Sequence, residues 1–316
     1  MLSLLFGFLV VTALALLADL PKMLQALSHF AWGYLPAILG LTLFNYALRF
    51  VKFHYYLGRI GLRVGLGDSM AIFISGLSMA MTPGKVGELL KAFLLKGRTG
   101  APLSRTAPVI MAERLTDGVA MLLLASGGLL LYRQGLPIFL LVVAGAVTMV
   151  VVVQVRPLSE RLLELAGRLP VVGKRAAALR AFYESSYRLL WWPSLLLAIV
   201  IGFVSWSGEC VAFYYTLIGL GLPPSWELLV QASFILGIST LAGSVSLLPG
   251  GLGVAEGSVY GLLLLLLHIT KQKAAAATLI IRFCTLWFGV TVGVVALLAF
   301  SRRFGAVALE VDQALG

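Results

Sequence analysis

The sequence predicts an all-α protein that crosses a membrane several times. Of its 316 residues, 60% are hydrophobic and only 12% are charged, and the mean hydropathy is +1.00. A soluble domain of this size needs a polar surface, which so few charged residues cannot supply. Long apolar runs recur along the chain, and each is long enough for a hydrocarbon core of roughly 30 Å. We therefore expect a polytopic helical membrane protein.

Eight apolar runs follow one another along the chain. The first resembles a signal peptide but lacks a basic leading region, so we interpret it as a retained span. Two of the runs are broken by an adjacent Pro-Gly pair, and we predict that these two are re-entrant hairpins between six spans. The runs cover roughly 3–18, 31–50, 69–97, 106–131, 137–154, 191–218, 228–267 and 275–300.

Basic residues predict the orientation of these runs. Seventeen of the 24 lysines and arginines fall in three loop stretches and the tail, and such loops face the cytoplasm. The same bias explains the net charge of +11 without a nucleic-acid partner. We expect both termini in the cytoplasm of a prokaryotic cell. The three stretches are 49–63, 91–105 and 156–188, and the tail carries Arg302 and Arg303.

The first hairpin has to begin and end on the cytoplasmic side, because both of its flanks are basic. Residues 69 to 82 number 14, about 21 Å of helix, which is too short to cross. We place the break at Pro83 and Gly84. The second hairpin breaks in "LLPGGLGVAEG", at Pro249, and enters from the external side. Its first limb, 228–247, has 20 residues and is long enough to span alone.

The two breaks form an internal repeat. Both read P-G-x-x-G followed by an acid, which is Glu88 in the first and Glu256 in the second. A buried arginine follows each: Arg114 lies 31 residues after the first proline and Arg282 lies 33 after the second. The predicted repeats, about 31–131 and 191–300, have opposite orientations, which is typical of secondary transporters. They belong to one transmembrane domain, 1–303, with a basic amphipathic cytoplasmic linker at 156–190 and a short tail at 304–316.

Charged residues inside the membrane mark the candidate site, because each is costly to insert. One interpretation is substrate binding: the cations bind an anionic headgroup, the hairpin glycines offer backbone amides, and acids carry protons for coupling. The other interpretation is a static network of salt bridges. The cations are Lys85, Arg114 and Arg282; the glycines are Gly84, Gly87, Gly250 and Gly251; the proton-carrying acids are Glu88, Asp117 and Glu256.

Further polar residues lie within the apolar runs. Glu113 and Asp117 are four residues apart on one helical face and repel each other, so we expect a cation between them. Lys85, Arg282 or a substrate amine could supply it, because Arg114 points about 100° away. Glu209 stands alone in its span, as a proton site or as the partner of an arginine. Arg49 ends a run, and we interpret it as snorkelling to the interface.

The remaining reactive residue types predict no catalytic centre. The two cysteines lie in apolar segments and fit packing roles, and the three histidines lie near segment ends. Their spacing matches no disulfide framework or metal site, so we expect neither a cofactor nor a bound metal. These residues are Cys210, Cys284, His29, His54 and His268.

Four segments resemble a known family: "MTPGKVGELLKAFLL", "AERLTDG", "LLPGGLGVAEG" and "IIRFCTLWFG". They are similar to the transmembrane region of lysylphosphatidylglycerol synthases, which also occurs as stand-alone flippase-like membrane proteins. The resemblance covers about 1–303 and implies movement of a lipid between leaflets. After Arg303 only a short tail remains, so the soluble transferase domain of the synthases is not expected here. Stand-alone relatives are associated with varied lipids, so the resemblance does not fix the substrate.

These observations predict a lipid flippase or transporter and not an enzyme. Its substrate would be a phospholipid or a polyprenyl-phosphate-linked lipid, and its partners a second copy or a lipid-modifying enzyme. Two alternatives stay open. One is an intramembrane lipid-modifying enzyme that uses Glu88 or Glu113; the other is a non-catalytic partner that docks such an enzyme through the basic linker.

Overall fold

A computed structural model of the chain describes residues 2–82, 89–129, 136–167, 175–246 and 248–300. Regular structure in these ranges is helical throughout, which confirms the all-α prediction. The helices are α1 Leu2–Ala18, α2 Leu20–Ser28, α3 Leu35–Arg59, α4 Leu66–Leu77, α5 Leu90–Thr99, α6 Leu103–Leu129, α7 Leu136–Gln154, α8 Arg156–Gly167, α9 Ala176–Leu189, α10 Trp192–Gly219, α11 Trp226–Val245, α12 Val254–Leu266 and α13 Lys271–Phe300.

The described residues contain five helices that are long and apolar enough to cross a membrane. The number rises to seven if two bent helix pairs each count as one span. The chain is therefore a multi-pass integral membrane protein, close to the six spans predicted. Helix α6 has 27 residues but is more polar than these helices, because it carries four charged side chains. They are Arg105, Glu113, Arg114 and Asp117.

Helices α3 and α10 pack against each other along their whole length and run antiparallel. The residues of α10 that contact successive residues of α3 have decreasing numbers, so the two helices run in opposite directions. The interface therefore defines two ends of the molecule, which we call the Ile60 end and the Gly219 end. The hydrogen-bonded pairs along it are Ala31 with Gly219, Asn45 with Ser205, and Tyr55 with Ser194.

The first hairpin, α4 and α5, begins and ends at the Ile60 end. Arg98 Nη2, near the end of α5, lies 2.8 Å from Asp68 Oδ2 near the start of α4. The following helix starts beside the same end, because Arg105 Nη2 donates to the Ile60 carbonyl at 2.6 Å. The predicted break, residues 83–88, lies outside the described residues.

The second hairpin, α11 and α12, has its open end at the Gly219 end. The loop before α11 approaches the start of α13, since a Cβ on Gly221 would lie 3.6 Å from Lys273 Nζ. The two hairpins thus enter from opposite ends of the molecule, as an inverted pair requires. The second hairpin is the longer: its limbs, Trp226–Val245 and Pro249–Leu266, have 20 and 18 residues, and each has the length and composition of a span.

The second hairpin tip meets the described end of the first hairpin's leading limb inside the bundle. A Cβ on Gly250 would lie 3.4 Å from Met81 Cγ and 3.5 Å from the Ala80 carbonyl oxygen. The second tip is a 3-10 turn in which Gly250 and Gly251 have φ values of 61° and 69°. Such left-handed backbone favours glycine, which explains the P-G-G sequence of this break.

The predicted linker at 156–190 forms α8 and α9, with residues 168–174 outside the described part. Helix α8 turns away from α7 by 85°. Helix α9 packs against α6, and Gln154 Nε2 donates to the Tyr187 carbonyl at 3.3 Å. Arg188 of α9 lies in the same surface pocket as Ile60 and Arg105, so this linker is at the Ile60 end.

Candidate functional site

A cavity of about 160 Å³ lies between the second hairpin tip and the described limbs of the first hairpin. Its walls come from both predicted repeats: α3 to α6 from the first, and α10 to α13 from the second. This volume holds roughly ten water molecules, and therefore has room for a phosphate-sized group with some of its hydration. The charged residues that line it are Arg49, Lys91, Arg114, Glu209 and Arg282.

Five residues of the predicted site come together at this cavity: Arg114, Glu209, Arg282, Gly250 and Gly251. Five others, the residues Pro83, Gly84, Lys85, Gly87 and Glu88, lie outside the described part of the chain. On the side of the second hairpin, the cavity therefore lies where we predicted the site, between the hairpin tip and the arginine-bearing helices.

Arg282 ties the second hairpin tip to α13. Its Nε lies 2.5 Å from Glu256 Oε1, and its Nη2 donates to the Gly250 carbonyl at 2.9 Å. The other oxygen of Glu256 accepts the Gly253 N–H at 2.7 Å. Glu256 thus caps the start of α12 and neutralises Arg282 at once. This pair is a salt bridge of the kind that the static-network interpretation predicts. The Arg282 side chain is nevertheless 17% exposed, and it lines the cavity.

The tip amides are largely used within the turn. The Gly251 N–H donates to the Leu248 carbonyl at 2.9 Å, and the Leu252 N–H donates to Pro249 at 2.9 Å. The expectation that Gly251 offers an amide to an anion is therefore wrong, because the 3-10 turn already uses that donor. Gly250 faces the site through its carbonyl oxygen, which accepts from Arg282.

A π turn follows Arg282 directly. It covers Phe283–Trp287, and the Tyr46 hydroxyl donates to the Thr285 carbonyl within it at 2.5 Å. A π turn leaves backbone groups out of the regular helical pattern, and such turns occur often at functional sites. Tyr46 and Thr285 both line the cavity, so this hydrogen bond fixes the wall beside Arg282.

Lys91 and Glu113 form a buried ion pair on the other side of the cavity. The Lys91 ammonium lies 2.5 Å from Glu113 Oε2 and about 5 Å from the centres of the Phe53 and Phe73 rings, at 5.1 and 5.2 Å. Lys91 is only 4% exposed. Its assignment to a cytoplasmic loop is therefore wrong, because α5 turns this side chain into the bundle.

Asp117 binds two cations of α3. Its Oδ1 forms an ion pair with Lys52, which is fully buried, and its Oδ2 lies 3.6 Å from Arg49 Nε. The prediction that Glu113 and Asp117 share one cation is wrong, because each acid has its own partner. The snorkelling interpretation of Arg49 is also wrong, since its side chain is 9% exposed and points into the bundle.

The carboxyl of Glu209 differs from these paired acids. It lines the cavity and the residue is 6% exposed, yet within the described residues no ion pair or hydrogen bond reaches it. Three further polar atoms in the cavity wall also lack hydrogen-bond partners. They are Arg49 Nε, Trp206 Nε1 and Ser239 Oγ.

Unsatisfied buried polar groups are rare in native structures, and a cluster of them indicates a polar occupant such as water or a ligand. Within the described part of the chain, five buried or cavity-lining cations face four acids, which leaves one excess positive charge. The cations are Arg49, Lys52, Lys91, Arg114 and Arg282, and the acids are Glu113, Asp117, Glu209 and Glu256.

The fold and the cavity together define a polytopic helical membrane protein with a charged site at the meeting point of two hairpins. The chain belongs to the family described as the lysylphosphatidylglycerol synthase TM region, whose model matches residues 4–293. This confirms the resemblance found in the four segments.

Two archaeal relatives are similar to this chain, and both are named UPF0104 membrane proteins. The one from Methanothermobacter thermautotrophicus is 23% identical over 312 residues, which cover 92% of this chain and 90% of the relative. The one from Methanocaldococcus jannaschii is 26% identical over 180 residues, which cover 56% of this chain and 74% of the relative. These names place the family in membranes and assign it no activity.

Proposed function

We propose that the protein is a lipid flippase or transporter of a prokaryotic cytoplasmic membrane. A polar, phosphate-bearing headgroup crosses through the cavity between the hairpin tips, while the acyl or prenyl chains stay in the bilayer. The protein moves its substrate without making or breaking covalent bonds, so we propose that it is not an enzyme.

The observation that carries this proposal is the excess positive charge of the described residues around a cavity that both repeats build. Arginine guanidinium groups bind phosphate oxygens through two parallel hydrogen bonds, which suits a phosphate headgroup better than a neutral one. Arg49 has an unsatisfied Nε, and Arg282 is partly exposed to the cavity while Glu256 and Gly250 fix its orientation. Both are held ready for an anion.

The antiparallel arrangement supports alternating access. In transporters with inverted repeats, one repeat rocks against the other around a central site. Here α3 and α10 form the long interface between the repeats, and the second tip approaches the end of the first hairpin's leading limb through Gly250 and Met81. A small rotation about this interface would open the cavity first toward one end and then toward the other.

The charge of the two ends supports a cytoplasmic Ile60 end. Ten described lysines and arginines lie on helices and loops at this end, whereas Lys22, Lys271 and Lys273 lie at the Gly219 end. Helix α13 begins at the Gly219 end and crosses the bundle, so its last residue, Phe300, lies at the Ile60 end. The ten residues are Arg59, Arg63, Lys96, Arg98, Arg105, Arg156, Arg161, Arg175, Arg180 and Arg188.

Reconstitution in proteoliposomes tests the proposal. Fluorescent phosphatidylglycerol and a labelled polyprenyl phosphate are placed in one leaflet, and their appearance in the other is followed against empty vesicles. We expect faster movement of at least one of them with the wild-type protein, and loss of this movement with Arg49→Gln.

The matched control is Arg98→Gln, which removes an exposed arginine at the Ile60 end and leaves the cavity intact. We expect it to behave like the wild type. Wild-type vesicles that move no phosphate-bearing lipid faster than empty ones overturn the proposal. Equal rates for Arg49→Gln and the wild type overturn the assignment of the site.

A further inference from the structure

We propose that Glu209 is a protonation site that couples a proton to the anion in the cavity. This inference rests on the proposed function, because it requires that the cavity binds an anion. It adds the coupling ion and the direction in which proton and anion influence each other.

The first argument is the isolation of the Glu209 carboxyl. Glu113, Asp117 and Glu256 each have a cation in contact, whereas Glu209 has none within ion-pair distance among the described residues. An ionised carboxylate removed from water without a partner is costly and tends to take up a proton instead. Carboxyls placed in this way inside membranes mark proton pathways in pumps and transporters.

The second argument is the set of groups around the carboxyl. Helix α11 adds the Ser239 and Thr240 hydroxyls to the cavity wall, and Trp206 lies one turn before Glu209 on the same face of α10. The titratable and charged groups near it are Tyr46 and Arg49 of α3, Lys91 of α5, Arg114 and Asp117 of α6, Cys210 of α10, and Arg282 and Cys284 of α13.

Arg49 links protonation of Glu209 to binding of the anion. It is held loosely by Asp117, since Arg49 Nε and Asp117 Oδ2 lie 3.6 Å apart and neither atom has a hydrogen bond. Its guanidinium lies 5.7 Å from the centre of the Trp206 ring, on the face of α10 that carries Glu209. An ionised Glu209 therefore attracts Arg49 and competes with an anion for it.

The sign of the coupling follows from this competition. A protonated Glu209 leaves the cavity more positive, so an anion binds more tightly. An ionised Glu209 cancels one positive charge, so the anion binds more weakly. Because coupling between two ligands is reciprocal, binding of the anion has to raise the affinity of Glu209 for a proton. Proton and headgroup then occupy the cavity together and cross in the same direction.

Calorimetric titration of the purified full chain in detergent tests the coupling. Short-chain phosphatidylglycerol is the probe, and short-chain phosphatidylcholine is the control without net charge. We expect roughly tenfold tighter binding of phosphatidylglycerol at acidic than at alkaline pH, which is a typical size for coupling between two sites. Titrations in two buffers that differ in ionisation enthalpy should show proton uptake on binding.

Three variants assign this effect to Glu209. Glu209→Gln mimics the protonated form, so it should bind tightly at every pH and take up no proton. Glu209→Asp should keep the pH dependence, which shows that a titrating carboxyl at this position is required. Glu227→Gln removes an exposed acid at the start of α11 and should match the wild type.

Several results overturn the inference. Wild-type binding that is equal at all pH values, or Glu209→Gln that keeps the pH dependence, removes the coupling but leaves the anion site of the proposed function. An absence of binding at any pH overturns the site itself. Inorganic phosphate serves as a separate arm: if it binds as tightly as the lipid and with the same pH dependence, the coupling stands but the lipid assignment of the proposed function fails.

Discussion

Lys91 and Glu113 form, beside the first hairpin, the ion pair that Glu256 and Arg282 form beside the second, with the two charges exchanged. In each case one residue lies on the returning limb of the hairpin and the other on the helix that follows, and each N–O distance is 2.5 Å. Both hairpins are thus joined to the next helix by a buried charge pair. The cation lies on the returning limb in the first pair and on the following helix in the second.

Removing one member of the Lys91 pair should destabilise the protein more than removing both. Lys91→Met leaves the Glu113 carboxylate buried without a cation, which costs roughly 3–5 kcal/mol for a buried pair. The double variant Lys91→Met, Glu113→Leu replaces the pair by apolar groups and should regain most of this loss. Thermal unfolding of the detergent-purified proteins measures the difference; equal losses in the single and double variants would contradict the prediction.

Gly76 on α4 should be needed for the position of Lys91. A Cβ on Gly76 would lie 2.8 Å from Lys91 Cδ and closer still to its Cγ. Gly76→Ala should therefore displace the lysine and cost about 1–3 kcal/mol, as overpacking does. Gly67→Ala on the same helix meets no atom within 4 Å and should stabilise by up to about 1 kcal/mol. Unfolding midpoints that fall equally for both variants would argue against the contact.

Gly251→Ala should disrupt the second hairpin tip. Its φ of 69° is unfavourable for alanine, and the added Cβ would lie 2.9 Å from Gly243 Cα. Strain and overpacking together predict a loss of roughly 2–5 kcal/mol. Gly257→Ala, a few residues later in α12, meets nothing within 4 Å and provides the control. The same stability for both variants would show that the tip does not need this close approach.

Much of the fold follows from the sequence, because apolar run length and the Pro-Gly breaks report local properties of the backbone. The sequence also places Glu256 at the second break, since it lies seven residues after Pro249, and the repeat spacing brings Arg282 into the same predicted site. The partners of Glu113 and Asp117 could not be assigned in this way. They come from α5 and α3, and pairing across helices depends on packing that no short segment encodes.

One signal for the missed residues was present in the sequence. Polar residues recur along α3 every three or four positions, a spacing that places them on one face of a helix. If Arg49 extended to the membrane interface, it would not share a buried face with the other polar residues of this series. All members of the series are buried, so they form an internal polar stripe. They are Thr42, Asn45, Arg49, Lys52 and Tyr56.

Cysteine labelling in intact cells should reveal which end of the molecule faces the cytoplasm. Lys96 and Lys271 are exposed lysines near the Ile60 end and the Gly219 end, and the native Cys210 and Cys284 are buried, so background labelling should be low. If the basic Ile60 end is cytoplasmic, a membrane-impermeant maleimide should label Lys271→Cys in intact cells and Lys96→Cys only after the cells are opened. The reverse pattern would invert the proposed orientation and, with it, the side from which each hairpin enters.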